Sequence, residues 1–279
     1  MVRQTAAAMP VRRPVLSLAL AVACAVAATL AATPAGGQDT PPPPDTNPCN
    51  DPLLQLRCPD LRMEPPGDLH VRRVGGGRVR LLATNHIVNV GQGPLELRGD
   101  RTQRPAFAKA YQVVYDRSGR EVYFPEAGYI YWKAIPGQGH YWKYYRAARF
   151  ELWTIHPDGS RAALVRTGPK LSYCFRDLRR VRSYPRTPRG RVYPACSQVY
   201  GRQSLRLGVS PGWADIYPST YHENWIAING LRGCFAFVHR ADPTGELVEE
   251  HEDNNVGQRI VQLPPHNGSV APRACPPGR

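Results

Sequence analysis

Beyond residue 48, this sequence lacks any stretch that repeats apolar residues at helical spacing between capping residues. It also lacks internal repeats and a second proline-rich linker. These absences exclude a helical bundle and a chain of small domains. Short runs that alternate apolar and polar residues are present instead, separated by glycine, proline and aspartate. Clear examples are 78–91, 94–99, 110–116, 149–155, 223–230, 233–242 and 258–263.

Many short strands of this kind predict an all-β fold. We expect one antiparallel β-sandwich-like domain over residues 49–279. An up-and-down barrel has the same sequence pattern, so that architecture stays open as an alternative.

The CxxC spacing that is typical of zinc and redox sites is absent from the seven cysteines. Six of them lie beyond the N-terminal segment that holds Cys24, and an even number in an exported chain favours disulfide bonds. We predict that neighbours in sequence pair, although other connectivities are possible. The predicted bonds are Cys49–Cys58, Cys174–Cys196 and Cys234–Cys275.

The N-terminal segment has the pattern of a secretory signal peptide. Three arginines precede an alanine-rich apolar run over 15–32, and small residues follow it. We therefore expect residues 1–37 to be a cleaved signal, residues 38–48 to be a proline-rich linker, and the protein to be secreted without a membrane span. The alternative is an uncleaved run that anchors the protein in a membrane.

Acidic residues are few, with 22 Asp and Glu against 36 Lys and Arg, which gives a formal net charge of +14. This charge favours polyanionic partners, such as anionic envelope polymers or an extracellular protein, and nothing in it indicates a specific nucleic acid. Residues 175–191 hold seven arginines and one acid, Asp177. That loop either binds a polyanion or is a solvated loop without a specific ligand.

Several segments, taken in order, resemble the exported bacterial members of the lysyl oxidase family. They cover nearly all of the chain beyond the linker. The segments are CPDLRM (58–63), HIVNVGQGPLELRG (86–99), GPKLSYCFRD (168–177), GVSPGWADIYPSTYHENWIAING (208–230) and LVEEHEDNNVGQRIVQL (247–263).

The resemblance implies a copper-dependent amine oxidase whose quinone cofactor is built from a lysine and a tyrosine side chain. The family's lysine falls on Lys170, four positions before Cys174, and its tyrosine falls on Tyr217. The family's proton-abstracting aspartate falls on Asp215, which would share a strand face with Tyr217. These three residues are the candidate catalytic set.

The family's copper ligands, three histidines in a His-x-His-x-His pattern, are missing. Their positions fall on Gly139, Tyr141 and Lys143 in the stretch GHYWKYY (139–145), and His140 has the wrong parity. The remaining histidines are scattered singly without ligand spacing. We therefore expect no metal and no cofactor, and a basic aromatic face built from Tyr141, Tyr145 and Lys143.

Two functions follow from this comparison. The first is a non-catalytic envelope or extracellular binding module on a lysyl oxidase-like scaffold. The alternative is a protein-lysine 6-oxidase type of enzyme, with copper and a quinone formed by Lys170 and Tyr217.

Overall fold

A computed structural model of the chain describes residues 47–101, 105–265 and 275. The predicted signal segment and residues 38–46 of the predicted linker lie outside the described residues. Strand accounts for 49% of the described residues and helix for 1%, so the expected all-β fold is confirmed. The helical part is one 3₁₀ turn, Pro48–Asn50, at the end of the predicted linker.

Seventeen strands follow that turn. In chain order they are β1 (Leu56–Arg57), β2 (Leu61–Met63), β3 (Gly67–Val74), β4 (Arg78–Asn89), β5 (Leu95–Asp100), β6 (Phe107–Asp116), β7 (Glu121–Phe124), β8 (Tyr129–Ile135), β9 (Gly139–Tyr144), β10 (Ala148–Ile155), β11 (Arg161–Thr167), β12 (Arg179–Arg180), β13 (Ser204–Val209), β14 (Trp213–Tyr217), β15 (Trp225–Ala227), β16 (Gly233–Ala241) and β17 (Val256–Leu263).

The strands form three antiparallel sheets. The first has the order β13-β5-β6-β8-β9, and β1 and β7 also pair with β6. The second has the order β11-β10-β16-β17. The third has the order β12-β14-β4-β15, and β2 and β3 also pair with β4. Strands distant in sequence are neighbours in these sheets, which differs from the succession of an up-and-down barrel.

The long strand β4 contributes to two apolar cores. Leu81 and Ala83 pack with residues of β10, β16 and β17, such as Phe150 and Phe237. Farther along the same strand, Ile87 belongs to the core that holds residues of β5, β9 and β14. The third sheet therefore packs against both of the others, and β14 lies in the core that includes β9.

All three predicted disulfide bonds are present. They join Cys49 to Cys58, Cys174 to Cys196 and Cys234 to Cys275. Bonds of this kind persist in oxidising compartments, which indicates an extracytoplasmic environment. None of the helical residues that the structure describes forms a helix long and apolar enough to cross a membrane.

Candidate functional site

Three parts of the chain meet at the site: β9, β14 and the segment 168–177, which follows β11. Gly168 lets this segment approach the core closely, since a Cβ there would lie 2.6 Å from the carbonyl oxygen of Trp225. The segment is then held by a pair of backbone hydrogen bonds between Tyr173 and Tyr144, the last residue of β9. These contacts fix Lys170 and Tyr173 beside β9.

Lys170 lies against the ring of Tyr217. Its Nζ is 3.5 Å from the centroid of that ring, and the rings of Tyr221 and Tyr173 are 4.2 and 4.5 Å away. The side chain is fully buried, and its amine has no hydrogen-bond partner in the described part of the chain. Burial, together with the charge of Lys143, holds the pKa of Lys170 well below its usual value. The predicted proximity of Lys170 and Tyr217 is confirmed.

Lys143 provides a second buried amine. Its Nζ donates hydrogen bonds to the hydroxyls of Tyr221, at 2.9 Å, and Tyr217, at 3.4 Å. Burial lowers the pKa of Lys143 to about 8, and the charge of Asp215 opposes this shift. An amine with this pKa is mostly protonated at pH 7, but its neutral fraction of roughly one tenth is far larger than that of an ordinary exposed lysine.

Asp215 lies beneath these amines, on β14. Its carboxylate is fully buried and accepts no well-formed hydrogen bond from the described residues, and its ion-pair partner Arg176 has Nε at 3.9 Å. Burial raises the pKa of Asp215 to about 6, while Arg176 and the two lysines oppose the rise. The hydroxyl of Tyr217 accepts a hydrogen bond from the backbone amide of Cys174 at 2.9 Å.

A cavity of 260 Å³ opens onto these groups, and we call it the tyrosine pocket. Its lining includes Tyr141, Lys143, Arg176, Tyr217, Pro218 and Tyr221. Lys143 and Arg176 are the charged side chains among the described residues that line it, and no acid is among them. A larger cavity of 470 Å³, near Arg73 and Arg232, has no buried titratable side chain in its lining. The tyrosine pocket thus has a buried lysine in its lining, which the larger cavity lacks.

The two faces of β9 differ as the alternation predicts. Tyr141 and Lys143 face the tyrosine pocket, whereas His140 stacks on Trp132, with the ring centroids 5.6 Å apart. Gly139 is exposed and has a φ of +97°, a conformation that favours glycine over histidine. Tyr145 lies one residue beyond the end of β9 and packs edge-on against Tyr131, the cross-strand partner of Lys143. The rings that line the tyrosine pocket are those of Tyr141, Tyr217 and Tyr221.

The structure adds residues that the sequence analysis missed. Lys133, on β8, donates to Glu223 Oε1 at 2.5 Å and to Ser172 Oγ at 3.1 Å. His222 Nε2 lies 3.4 Å from the same Glu223 oxygen. Lys133 is on a strand that the alternation did not single out, and the other residues lie in turns or loops without a pattern. The chain has only four lysines. That rarity is a sequence signal that would have singled out Lys133.

The residues at the expected copper positions do not fit copper. Gly139 has no ligand atom, and Lys143 directs a hydrogen-bonded amine into the pocket. Among the described residues, two groups of three His, Cys, Asp or Glu ligand atoms lie close together, and neither includes a residue of this site. Imidazole is the nitrogen ligand that suits copper; the imidazole of His222 lies beside Glu223, and that of His140 stacks on Trp132.

The arginine-rich loop contributes one residue to the pocket, Arg176. The single acid of the loop, Asp177, is buried and organises its base by accepting hydrogen bonds from Val192, Tyr193 and Ser210. The side chain of Arg191 donates to the carbonyl oxygen of Leu178. The loop is thus anchored at its base.

No family model matches this chain, and no curated protein matches it.

Proposed function

We propose that this protein is a secreted binding module on a lysyl oxidase-like scaffold, which holds an acidic sugar of an anionic envelope polymer in the tyrosine pocket. The observation that carries the proposal is the lining of the pocket. Lys143 and Arg176 are its charged groups, and the rings of Tyr141, Tyr217 and Tyr221 surround them. Cations bind the carboxylates of acidic sugars, and aromatic rings pack on the apolar faces of the sugar rings.

The charge of the whole chain supports this assignment. The excess of Lys and Arg over Asp and Glu gives a field that attracts polyanions from a distance. The pocket then supplies the local contacts. At pH 7, Lys143 is still largely protonated because its pKa is about 8, so it offers a positive charge to an acidic ligand.

The proposal is tested by titration calorimetry with an oligogalacturonate and, for comparison, with a neutral glucan of equal length. We expect binding of the acidic oligosaccharide alone, and a loss of affinity of about tenfold or more in Arg176→Gln, because a hydrogen bond to a charged group is worth about 1.5–3 kcal/mol. Arg232→Gln, which removes a cation at the separate larger cavity, is the matched control and should bind as the wild type does. Equal affinity for both oligosaccharides, or an equal loss in both variants, would contradict the proposal.

A second function is favoured by one contact. Lys170 Nζ lies over the ring of Tyr217, and these are the residues onto which the family's quinone-forming pair falls. Copper-dependent amine oxidation would use this pair, with Asp215 as the proton-abstracting group. The missing imidazoles at 139, 141 and 143 argue against it, so we derive no step through copper. This alternative requires stoichiometric copper uptake and a quinone stain that disappears in Tyr217→Phe.

A further inference from the structure

Lysine is rare in this chain, and its placement is uneven. The 36 basic residues include only four lysines, and the others are arginines. Lys109 is exposed and pairs with Glu126 on the surface. The other three, Lys133, Lys143 and Lys170, lie close enough for their charges to interact, and each is partly or fully buried. We call these three the amine cluster.

Arginine cannot replace lysine in such a cluster. A guanidinium stays charged at every accessible pH, whereas an amine can lose its proton when it is buried. A role in packing alone would be met by methionine or leucine, which carry no cost of charge desolvation. A chain that uses arginine nearly everywhere, but keeps amines in one buried cluster, has a position where a primary amine is needed.

Lys143 is the member of the amine cluster that can meet a ligand. It lines the tyrosine pocket, whereas Lys170 is fully enclosed by tyrosine rings and Lys133 is paired with Glu223. Burial lowers the pKa of Lys143, the charge of Asp215 opposes this shift, and the ammonium of Lys133 adds to it. The hydroxyl of Tyr221, 2.9 Å from Lys143 Nζ, is placed to exchange a proton with it.

We propose that Lys143 is a nucleophilic amine that captures a small aldehyde or ketone in the tyrosine pocket as a Schiff base. The nitrogen lone pair attacks the carbonyl carbon, a C–N bond forms, and the π pair moves to oxygen. The oxygen then takes two protons in exchange for the two that nitrogen loses, the C–O bond breaks, and water leaves. Amine and carbonyl thus give imine and water, with Tyr221 as the proton carrier. The step consumes no oxidant or reductant.

This inference does not depend on an acidic ligand. Capture needs only the amine, the proton carrier and the space of the pocket. Arg176 would add affinity for a carbonyl compound that also bears a carboxylate, and that contribution belongs to the proposed binding function.

The test treats the whole protein with propionaldehyde and cyanoborohydride, and peptide mass mapping then measures the rate at which each lysine is alkylated. Lys109 is the internal reference, because it is exposed and lies outside the tyrosine pocket. At neutral pH we expect Lys143 to react about tenfold faster than Lys109, because burial raises the neutral fraction of the Lys143 amine and Tyr221 lies beside it. Lys170 should stay unmodified. Labelling of Lys143 no faster than Lys109, or labelling of Lys170 in its place, would overturn the inference.

Variants separate the chemistry from the binding function. Lys143→Arg and Lys143→Met should both lose the fast adduct while Lys109 reacts as before, with circular dichroism as the check on folding. Tyr221→Phe should slow alkylation of Lys143 several-fold without removing it. Arg176→Gln should slow labelling by glyoxylate more than labelling by propionaldehyde, because the charge of Arg176 lowers the pKa of Lys143 for both probes but attracts only the carboxylate of glyoxylate. A glyoxylate rate that is unchanged in Arg176→Gln would count against the acidic-ligand function alone. If Lys143 of the wild type reacts fast with neither probe, Schiff-base capture is contradicted.

Discussion

Lys170 is a primary amine without a hydrogen-bond partner among the described residues, enclosed by the rings of Tyr173, Tyr217 and Tyr221. Two effects compete at this residue. The faces of the rings attract a cation, but removal of the charge from water costs more, and the pKa of Lys170 is therefore well below its usual value. Lys170 therefore makes the fold less stable than an apolar side chain of similar size would at this position.

We predict that Lys170→Met stabilises the fold by about 1–3 kcal/mol, because an unsatisfied buried donor is replaced by a thioether that packs well on aromatic rings. The gain should grow as the pH falls. The pKa of Lys170 is lower in the folded protein than in the unfolded chain, so the unfolded chain binds more protons and the wild type loses stability below the ordinary lysine pKa. Urea unfolding at pH 9 and at pH 6 measures both effects.

Lys109→Met is the matched control for this experiment. Lys109 and Glu126 form a surface pair with side chains 61% and 82% exposed, and such pairs contribute little. The free energy of unfolding of this variant should differ from that of the wild type by less than about 0.5 kcal/mol. A loss of stability in Lys170→Met at both pH values would show that the amine forms a favourable interaction instead.

At the scale of elements, the arginine-rich loop depends on its one acid. Asp177 is buried, and its carboxylate accepts hydrogen bonds from the amides of Val192, Tyr193 and Ser210 and from the Ser210 hydroxyl. These bonds tie the two ends of the loop to the start of β14, and they place Arg176 at the tyrosine pocket. Like charges along the loop would otherwise favour its separation from the sheet.

We predict that Asp177→Ala lowers the free energy of unfolding by about 3 kcal/mol, because several buried donors lose their acceptor at once. Trypsin should also cut faster after the arginines of the loop. Asp158→Ala is the control, since Asp158 makes two similar bonds to Ser160 in an exposed turn, and it should cost less than about 1 kcal/mol. Equal costs in the two variants would mean that burial adds nothing to the role of Asp177.

The elements differ in how far the sequence predicts them. The alternating runs identify β4, β10 and β16 almost to their ends, although consecutive residues in part of each strand are buried on both faces. The segment around Lys170 has no such pattern, because a single bridge and tertiary contacts hold it. Tyr221 and His222 lie in a turn, where side-chain direction depends on the neighbouring strands. The order of segments in the family resemblance was needed to predict that Lys170 and Tyr217 meet.

At the scale of the molecule, the three disulfide bonds act on different parts of the chain. Their sequence separations are 9, 22 and 41 residues. Each bond restricts the unfolded chain by an amount that grows slowly with loop length, and the chain-entropy relation gives about 2.5–4 kcal/mol for each. Cys174–Cys196 also lines the tyrosine pocket, and the amide of Cys174 bonds Tyr217. This bond therefore joins the stability of the whole molecule to the geometry of the site.

We predict that native protein treated with increasing dithiothreitol loses Cys234–Cys275 first and Cys174–Cys196 last. Cys174 and Cys196 are each only 6% exposed, whereas Cys234 and Cys275 are half-buried and accessible to a reductant. Alkylation of the released thiols followed by peptide mass mapping gives the order.

Without reductant, the denatured full chain should show one free thiol, that of Cys24, and a chain cleaved after residue 37 should show none. Two or more free thiols in the cleaved chain would contradict the three bonds. Early loss of Cys174–Cys196 would contradict protection by burial. When that last bond opens, alkylation of Lys143 by propionaldehyde should lose its advantage over Lys109, because the segment that holds Tyr217 in place is no longer fastened.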